Sequence, residues 1–140
     1  MAEIKKRADS QISGMAGEFL VAGKLFKYGL QVSVTMGNAK SIDLFVHNPK
    51  TNQSFNVQVK TSRFKNCFPI REERINENDI YVFVILNQLD QNEDFFIVQG
   101  KVLLNDVNHF FGSSYTKEKS MPAINYGPLK DFKDNWAIFD

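Results

Sequence analysis

Several residue types that would support particular chemistries are scarce in this 140-residue chain. It contains one cysteine, Cys67, and two histidines, His47 and His109, which lie far apart in the sequence. A lone cysteine excludes a disulfide framework and is typical of a reducing cytoplasm, which is where we expect the protein to act. No glycine-rich loop is followed by Lys and Ser or Thr, so the phosphate-binding loop of a P-loop nucleotide site is also excluded.

Long apolar runs are missing as well. No segment reaches membrane length, and we expect no signal peptide, internal repeat or low-complexity tract. The chain is nevertheless 43% apolar and contains thirteen phenylalanines, so it can bury a substantial core. We therefore predict one domain spanning residues 1–140, with no membrane association.

Net charge is also small, but its distribution along the chain is uneven. Residues 1–65 contain ten Lys and Arg against four Asp and Glu, whereas residues 66–140 contain seven against twelve. A basic first half favours a polyanionic partner, and ordinary solubility charge is the alternative. If that partner is a nucleic acid, we expect its phosphates to contact a polar and basic set in this half, with Lys40 and Arg63 foremost: Thr35, Asn38, Lys40, Ser62, Arg63 and Lys65.

A β-hairpin is the clearest local signal. Two alternating segments, residues 42–47 and 54–61, flank a turn-forming stretch at residues 48–52. A turn centred between Lys50 and Thr51 sets apolar side chains opposite apolar ones, namely Leu44 with Val57 and Val46 with Phe55.

This register also brings three polar side chains together. Asp43 lies opposite Gln58, and Lys60 shares their face because side chains alternate along a strand. Opposite Cβ atoms are about 5 Å apart and diagonal ones about 7 Å, so Asp43 and Gln58 can ligate one ion while Lys60 reaches its bound water. The alternative is an ordinary cross-strand ion pair between Asp43 and Lys60.

A helix is predicted upstream, from Ser10 to Tyr28, ending at Gly29. Its apolar residues recur at three- and four-residue spacing: Ile12, Met15, Phe19, Ala22, Leu25 and Phe26. Glu18 lies on a different line, with Gly14, Val21 and Leu25, and is either a functional carboxylate or a solvated surface residue. Three glycines within this helix indicate that a strand or a phosphate chain approaches its backbone.

The second half of the chain carries fewer functional signals. Residues 62–79 form a polar connection with a short helical turn, and residues 80–86 are typical of a buried strand. Residues 94–99 are its predicted hairpin partner, and residues 101–111 are predicted to form a helix.

The order of these features resembles the PD-(D/E)XK nuclease superfamily, nearest its small Holliday-junction-resolvase-like branch, over residues 14–62. The resemblance implies a restriction-endonuclease-like α/β fold, an αβββαβ core with a mixed central sheet flanked by helices. Asp43 matches the family aspartate, Gln58 its second acidic position and Lys60 its lysine. Glu18 is similar to the first-helix glutamate, and Thr35 to a hydroxyl residue before the aspartate, a place that Ser33 or Ser41 could also fill.

The function implied by this resemblance is a Mg²⁺-dependent DNA endonuclease acting on branched or structured DNA, with Mn²⁺ as an alternative ion. Glu18, Asp43, Gln58 and the backbone carbonyl of Val59 would hold the ion, and Lys60 would stabilise the transition state. By analogy with resolvases, a homodimer is expected. Two alternatives stay open. Gln58 in place of an acid is compatible with an inactive nucleic-acid-binding module, and the basic face is compatible with a defence or interaction protein that binds an acidic partner.

Overall fold

The computed structural model describes residues 2–36 and 42–140, with side chains described for residues 9–36 and 42–140. Its helices and strands are α1 (Ala2–Lys27), β1 (Gln31–Val34), β2 (Leu44–Asn48), β3 (Gln53–Ser62), β4 (Cys67–Pro69), β5 (Ile80–Ile85), β6 (Asp94–Gln99), α2 (Gly100–Asn105), α3 (Val107–Phe111), β7 (Ala123–Asn125) and α4 (Tyr126–Leu129). Short 3₁₀ turns lie at Glu72–Arg74, Lys130–Phe132 and Trp136–Phe139.

Five strands form a mixed sheet in the order β1-β2-β3-β5-β6. Only β3 and β5 are parallel to each other; the remaining neighbours in this sheet are antiparallel. The predicted mixed sheet with flanking helices is therefore confirmed. The crossover from β3 to β5 differs from the expected core, because it contains strand β4 and one 3₁₀ turn where an α-helix was expected.

The two faces of the sheet are covered differently. Helix α1 packs on one face, where Val21 and Leu25 join Val57, Val59 and Val82 in a buried cluster. On the opposite face, α2, α3 and the chain segments around β4 and β7 cover β5 and β6. The β2 side of that second face stays open, as the 48% exposure of Phe45 shows. This open area lies beside the predicted polar residues of the hairpin.

Helix α1 buries a different stripe from the one its apolar spacing predicted. Ile12, Met15, Phe19 and Phe26 are exposed, whereas Glu18, Val21 and Leu25, which belong to the line that Glu18 shares with the small residues, are buried. The prediction is confirmed for Ala22 and Leu25, which are buried, and is wrong for Ile12, Met15, Phe19 and Phe26. The buried stripe turns toward Glu18 because β3 lies so close to the helix that a Cβ at Gly17 would overlap Thr61. The helix also begins earlier than expected, at Ala2, and Gly29 ends it with a positive φ of 84°.

Two smaller corrections concern the rest of the chain. The helix predicted over residues 101–111 is divided into α2 and α3 at Asp106, whose backbone is not helical. In addition, none of the helices described here is both long enough and apolar enough to span a membrane.

Candidate active site

The hairpin formed by β2 and β3 has the predicted register. Leu44 pairs with Val57 and Val46 with Phe55, in antiparallel orientation. Val57 and Val59 are consequently buried against α1, and Gln58 and Lys60 are directed to the opposite face of the sheet, each half-buried. The prediction that Gln58 and Lys60 share one face is confirmed.

Asp43 contacts the backbone of β3 directly. Strand β2 begins one residue later, so Asp43 lies in a bend and its Oδ2 accepts a hydrogen bond from the Val59 N–H at 2.7 Å. Its own N–H donates to the Val57 carbonyl at 3.0 Å. Because the N–H and C=O of one strand residue point to the same neighbour, the Val59 carbonyl is directed to the Asp43 side as well. Asp43 therefore lies at the edge of β3 where strand pairing stops.

Thr35 holds the segment that leads into Asp43. Its Oγ1 donates to the Ile42 carbonyl at 2.5 Å, with the Asp43 carbonyl at 3.1 Å as a second acceptor. The Thr35 N–H donates to the same Asp43 carbonyl at 3.0 Å. The predicted hydroxyl residue thus positions the backbone of Asp43. Two other residues of the predicted DNA-contacting set, Asn38 and Lys40, lie outside the described residues.

Glu18 is buried, with 9% of its surface exposed, so it is not a solvated surface glutamate. The preceding residue, Gly17, lies against Thr61, and Arg63 Nε donates to Ser13 Oγ at 3.0 Å. Helix α1 therefore runs antiparallel to β3, and Glu18 lies near the level at which Asp43 meets Val59. It approaches from the helix-covered face, whereas Gln58 and Lys60 project from the other face.

Gln58 is held by two residues that sequence reasoning missed. Its Nε2 donates to Asp79 Oδ2 at 2.9 Å and to the Tyr81 hydroxyl at 3.0 Å. Burial raises the pKa of Tyr81 above its usual 10.0, and the nearby Asp79 charge raises it further, against hydrogen bonds that lower it. The phenol is thus protonated at neutral pH. A predicted strand at residues 80–86 was the available signal, but its register against β3 could not be predicted.

The basic residues that follow β3 remain accessible. Lys60 forms no ion pair with any residue in the described ranges, and Arg63 and Lys65 are exposed. Ser62 is engaged locally, since its Oγ donates to the Phe64 carbonyl at 3.0 Å and accepts from the Phe64 N–H at 3.1 Å. Cationic groups therefore continue from the site along the end of β3.

The oxygen atoms around Asp43 suit a hard divalent cation. The described residues contain no cluster of three or more His, Cys, Asp or Glu side chains that would hold a metal ion. A set combining two carboxylates, an amide oxygen and a backbone carbonyl is compatible with that finding, because Mg²⁺ and Mn²⁺ accept neutral oxygen ligands and retain waters. Asp43 contacts Val59 at one edge of β3. Gln58 is the neighbouring residue of the same strand, and Glu18 lies on the adjoining helix, on the other face of the sheet.

These elements define an α/β fold, in which a mixed five-stranded sheet is flanked by helices. Among solved structures, the chain is similar to a bacterial homing endonuclease, I-Ssp6803I, with a TM-score of 0.56 and 18% sequence identity. The match covers 92% of this chain and 89% of that one. The sequence matches no protein-family model and is significantly similar to no curated protein. At this level of identity, the likeness establishes a shared fold.

Proposed function

We propose that this protein is a metal-dependent DNA endonuclease of the PD-(D/E)XK superfamily that hydrolyses phosphodiester bonds of branched or structured DNA. The observation that supports the proposal is the 2.7 Å hydrogen bond from the Val59 N–H to Asp43, because Val59 lies between Gln58 and Lys60 on β3. The fold shared with a bacterial homing endonuclease supports it.

In this proposal, four oxygen donors would hold Mg²⁺ or Mn²⁺: Glu18, Asp43, Gln58 and the Val59 carbonyl. When bound, the ion would lower the pKa of a coordinated water and neutralise charge on the phosphate. Thr35 would keep Asp43 in place because its hydroxyl contacts the backbone carbonyls of Ile42 and Asp43. In this proposal the sheet would fix the backbone of Asp43, Gln58 and Val59, and helix α1 would supply Glu18.

Lys60 would act on the phosphate directly. It shares the face of Gln58 and has no acidic partner in the described part of the chain, so its ammonium is available to a phosphate oxygen. A cation placed where negative charge develops stabilises the transition state more than the ground state. We assign Lys60 the role of a cationic hydrogen-bond donor to the phosphate and not that of a general base.

Arg63 and Lys65 extend this cationic surface beyond the end of β3. Contacts of this kind bind phosphates without reading sequence, and each one lost reduces the salt dependence of binding by about one unit of slope in log affinity against log salt concentration. Alanine substitution at Arg63 and Lys65 should therefore weaken binding to all DNA substrates similarly.

The direct test is cleavage of labelled four-way-junction, flap, single-stranded and duplex DNA with Mg²⁺ or Mn²⁺. Asp43→Ala and Lys60→Ala should each lower cleavage by about 100-fold or more, the size of effect seen when one transition-state-stabilising group is removed. Lys50→Ala is the matched control, since Lys50 is exposed in the turn at the far end of the hairpin.

Two results would overturn the proposal. Salt-sensitive DNA binding without cleavage in any metal would identify an inactive binding module, in which Gln58 marks the loss of turnover. Absence of both binding and cleavage would favour a protein whose basic surface recognises an acidic protein partner.

A further inference from the structure

We infer that Asp79 is a positioning residue that fixes the Gln58 side chain so that its carbonyl oxygen faces Asp43. The inference rests on the proposed function, because the oxygen gains a role only if the site holds a metal ion. Its basis is the pair of hydrogen bonds from Gln58 Nε2 to Asp79 Oδ2 and to the Tyr81 hydroxyl, at 2.9 and 3.0 Å.

The hydrogen bonds to Asp79 and Tyr81 determine the orientation of the Gln58 amide. An ionised carboxylate is an acceptor only, so it must face the NH₂ group. The Tyr81 hydroxyl accepts a second hydrogen bond from the Asn76 N–H at 2.9 Å and has the Arg74 carbonyl at 3.5 Å as an acceptor for its own proton. Both N–H groups of the amide are thus used, and a flipped amide would place its oxygen against the Asp79 carboxylate.

Strand order then gives the direction of the oxygen. Asp79 and Tyr81 belong to the β5 side of β3, and Asp43 belongs to the β2 side. An amide whose nitrogen is directed toward β5 turns its oxygen away from β5, toward the edge where Asp43 contacts Val59. Within the described residues, this oxygen accepts no hydrogen bond from the protein, so it is available as a ligand.

Asp79 itself is held firmly. It is only 2% exposed, its N–H donates to the Asn76 carbonyl at 3.1 Å, and its carbonyl accepts from the Gly100 N–H at 2.8 Å. Gly100 lies so close to the Asn76 carbonyl that any Cβ there would overlap it. These contacts fix the backbone that carries the carboxylate, and its Oδ2 accepts from Gln58. Supporting residues of metal sites orient ligands through contacts of this kind.

The hydrogen bond between Gln58 and Asp79 also accounts for glutamine at position 58, where the superfamily that this chain resembles carries an acid. A carboxylate at position 58 would meet the Asp79 carboxylate at hydrogen-bonding distance with no proton donor between them. Such a pair of like charges is unfavourable in a partly buried place. Asp79 therefore favours an amide over a carboxylate at position 58, and the amide can still offer an oxygen atom to the site.

The first experiment compares Asp79→Leu, which removes the acceptor, with Asp79→Asn, which keeps one. Readouts are the side-chain NH₂ resonances of Gln58, assigned with Gln58→Ala, and Mn²⁺ affinity measured by calorimetry. We expect Asp79→Leu to shift and broaden those resonances and to weaken Mn²⁺ binding by about 10- to 100-fold. Asp79→Asn should leave the Gln58 resonances and the Mn²⁺ affinity close to those of the parent. Asp94→Asn is the control, because it removes a partly buried carboxylate on β6, away from the site.

Unchanged Gln58 resonances and Mn²⁺ affinity in folded Asp79→Leu would overturn the inference. Equal losses in the leucine and asparagine variants would also overturn it, since charge and not hydrogen bonding would then be responsible. If the parent neither binds Mn²⁺ nor cleaves DNA, the proposed function fails and the positioning role fails with it. The NH₂ resonances alone would then report whether Asp79 anchors Gln58.

A charge exchange keeps the inference testable if the leucine variant does not fold. Gln58→Glu should lower the melting temperature and weaken Mn²⁺ binding, because two carboxylates then face each other. Adding Asp79→Asn should restore both, since the new amide donates to the new carboxylate. A double variant no better than Gln58→Glu alone would count against the inference.

Discussion

Gly17 of α1 lies directly against the side chain of Thr61 on β3. A Cβ at position 17 would overlap Thr61 Oγ1, whereas a Cβ at Gly14 or Gly23 would meet nothing within 4 Å. One of the three helix glycines therefore marks a close approach, and that approach is by a strand. The contact lies one residue before Glu18, so it also sets how deeply this carboxylate enters the protein.

We expect Gly17→Ala to lower the free energy of unfolding by about 1–3 kcal/mol, because the added methyl group must push helix and strand apart. Gly23→Ala, with open space around it, should instead raise the free energy of unfolding by about 1 kcal/mol through helix propensity. Denaturant unfolding measures both. Combining Gly17→Ala with Thr61→Ala should recover part of the loss; equal effects at positions 17 and 23 would contradict the contact.

Thr35 should affect catalysis through the position of Asp43. Thr35→Val keeps the shape of the side chain but loses the hydrogen bonds to the carbonyls of Ile42 and Asp43. If the chain is an endonuclease, a small displacement of Asp43 should lower kcat by about 100-fold, with a smaller effect on KM. Thr35→Ser should retain most activity, and Ser33→Ala, at an exposed position of β1, is the control. A valine variant as active as the parent would show that Asp43 does not depend on this hydroxyl.

Stability should depend on acid pH through Asp94. Burial raises the pKa of this carboxyl, but hydrogen bonds from Asn87 and Lys133 outweigh burial and hold the pKa below its usual 3.8. A depressed pKa in the folded state means that the ionised form stabilises folding above the unfolded pKa, and that this contribution disappears as the pH falls through the folded value.

Asp94→Asn should therefore be less stable than the parent at neutral pH, and the difference should vanish as the pH falls below about 4. Urea unfolding at a series of pH values measures this. Lys133→Met should also be less stable than the parent at neutral pH, with a difference that falls over the same pH range, because Lys133 Nζ lies 3.2 Å from Asp94 Oδ1. A difference independent of pH would attribute the effect to packing.

The hairpin could be predicted because its information is local. Alternating apolar residues on both sides of a turn allow one register that buries Val57 opposite Leu44, and a slip by one residue would expose both. That register alone places Asp43 at the level of Gln58 and Lys60. The buried side of α1 could not be predicted in this way, because its exposed residues Ile12 and Phe19 are more apolar than the Glu18 that is buried.

The sequence by itself determined strands β2, β3, β5 and β6, the pairing of β2 with β3, and the polar residues carried by this hairpin, since each depends on neighbours within about twenty residues along the chain. It did not indicate β1, β4 or β7. Tertiary structure alone decided that Glu18 faces the sheet and that Asp79 reaches Gln58. The latter contact depends on the parallel pairing of β3 with β5 across an irregular crossover. Packing of the whole sheet sets the register of such a pair, and no local pattern encodes it.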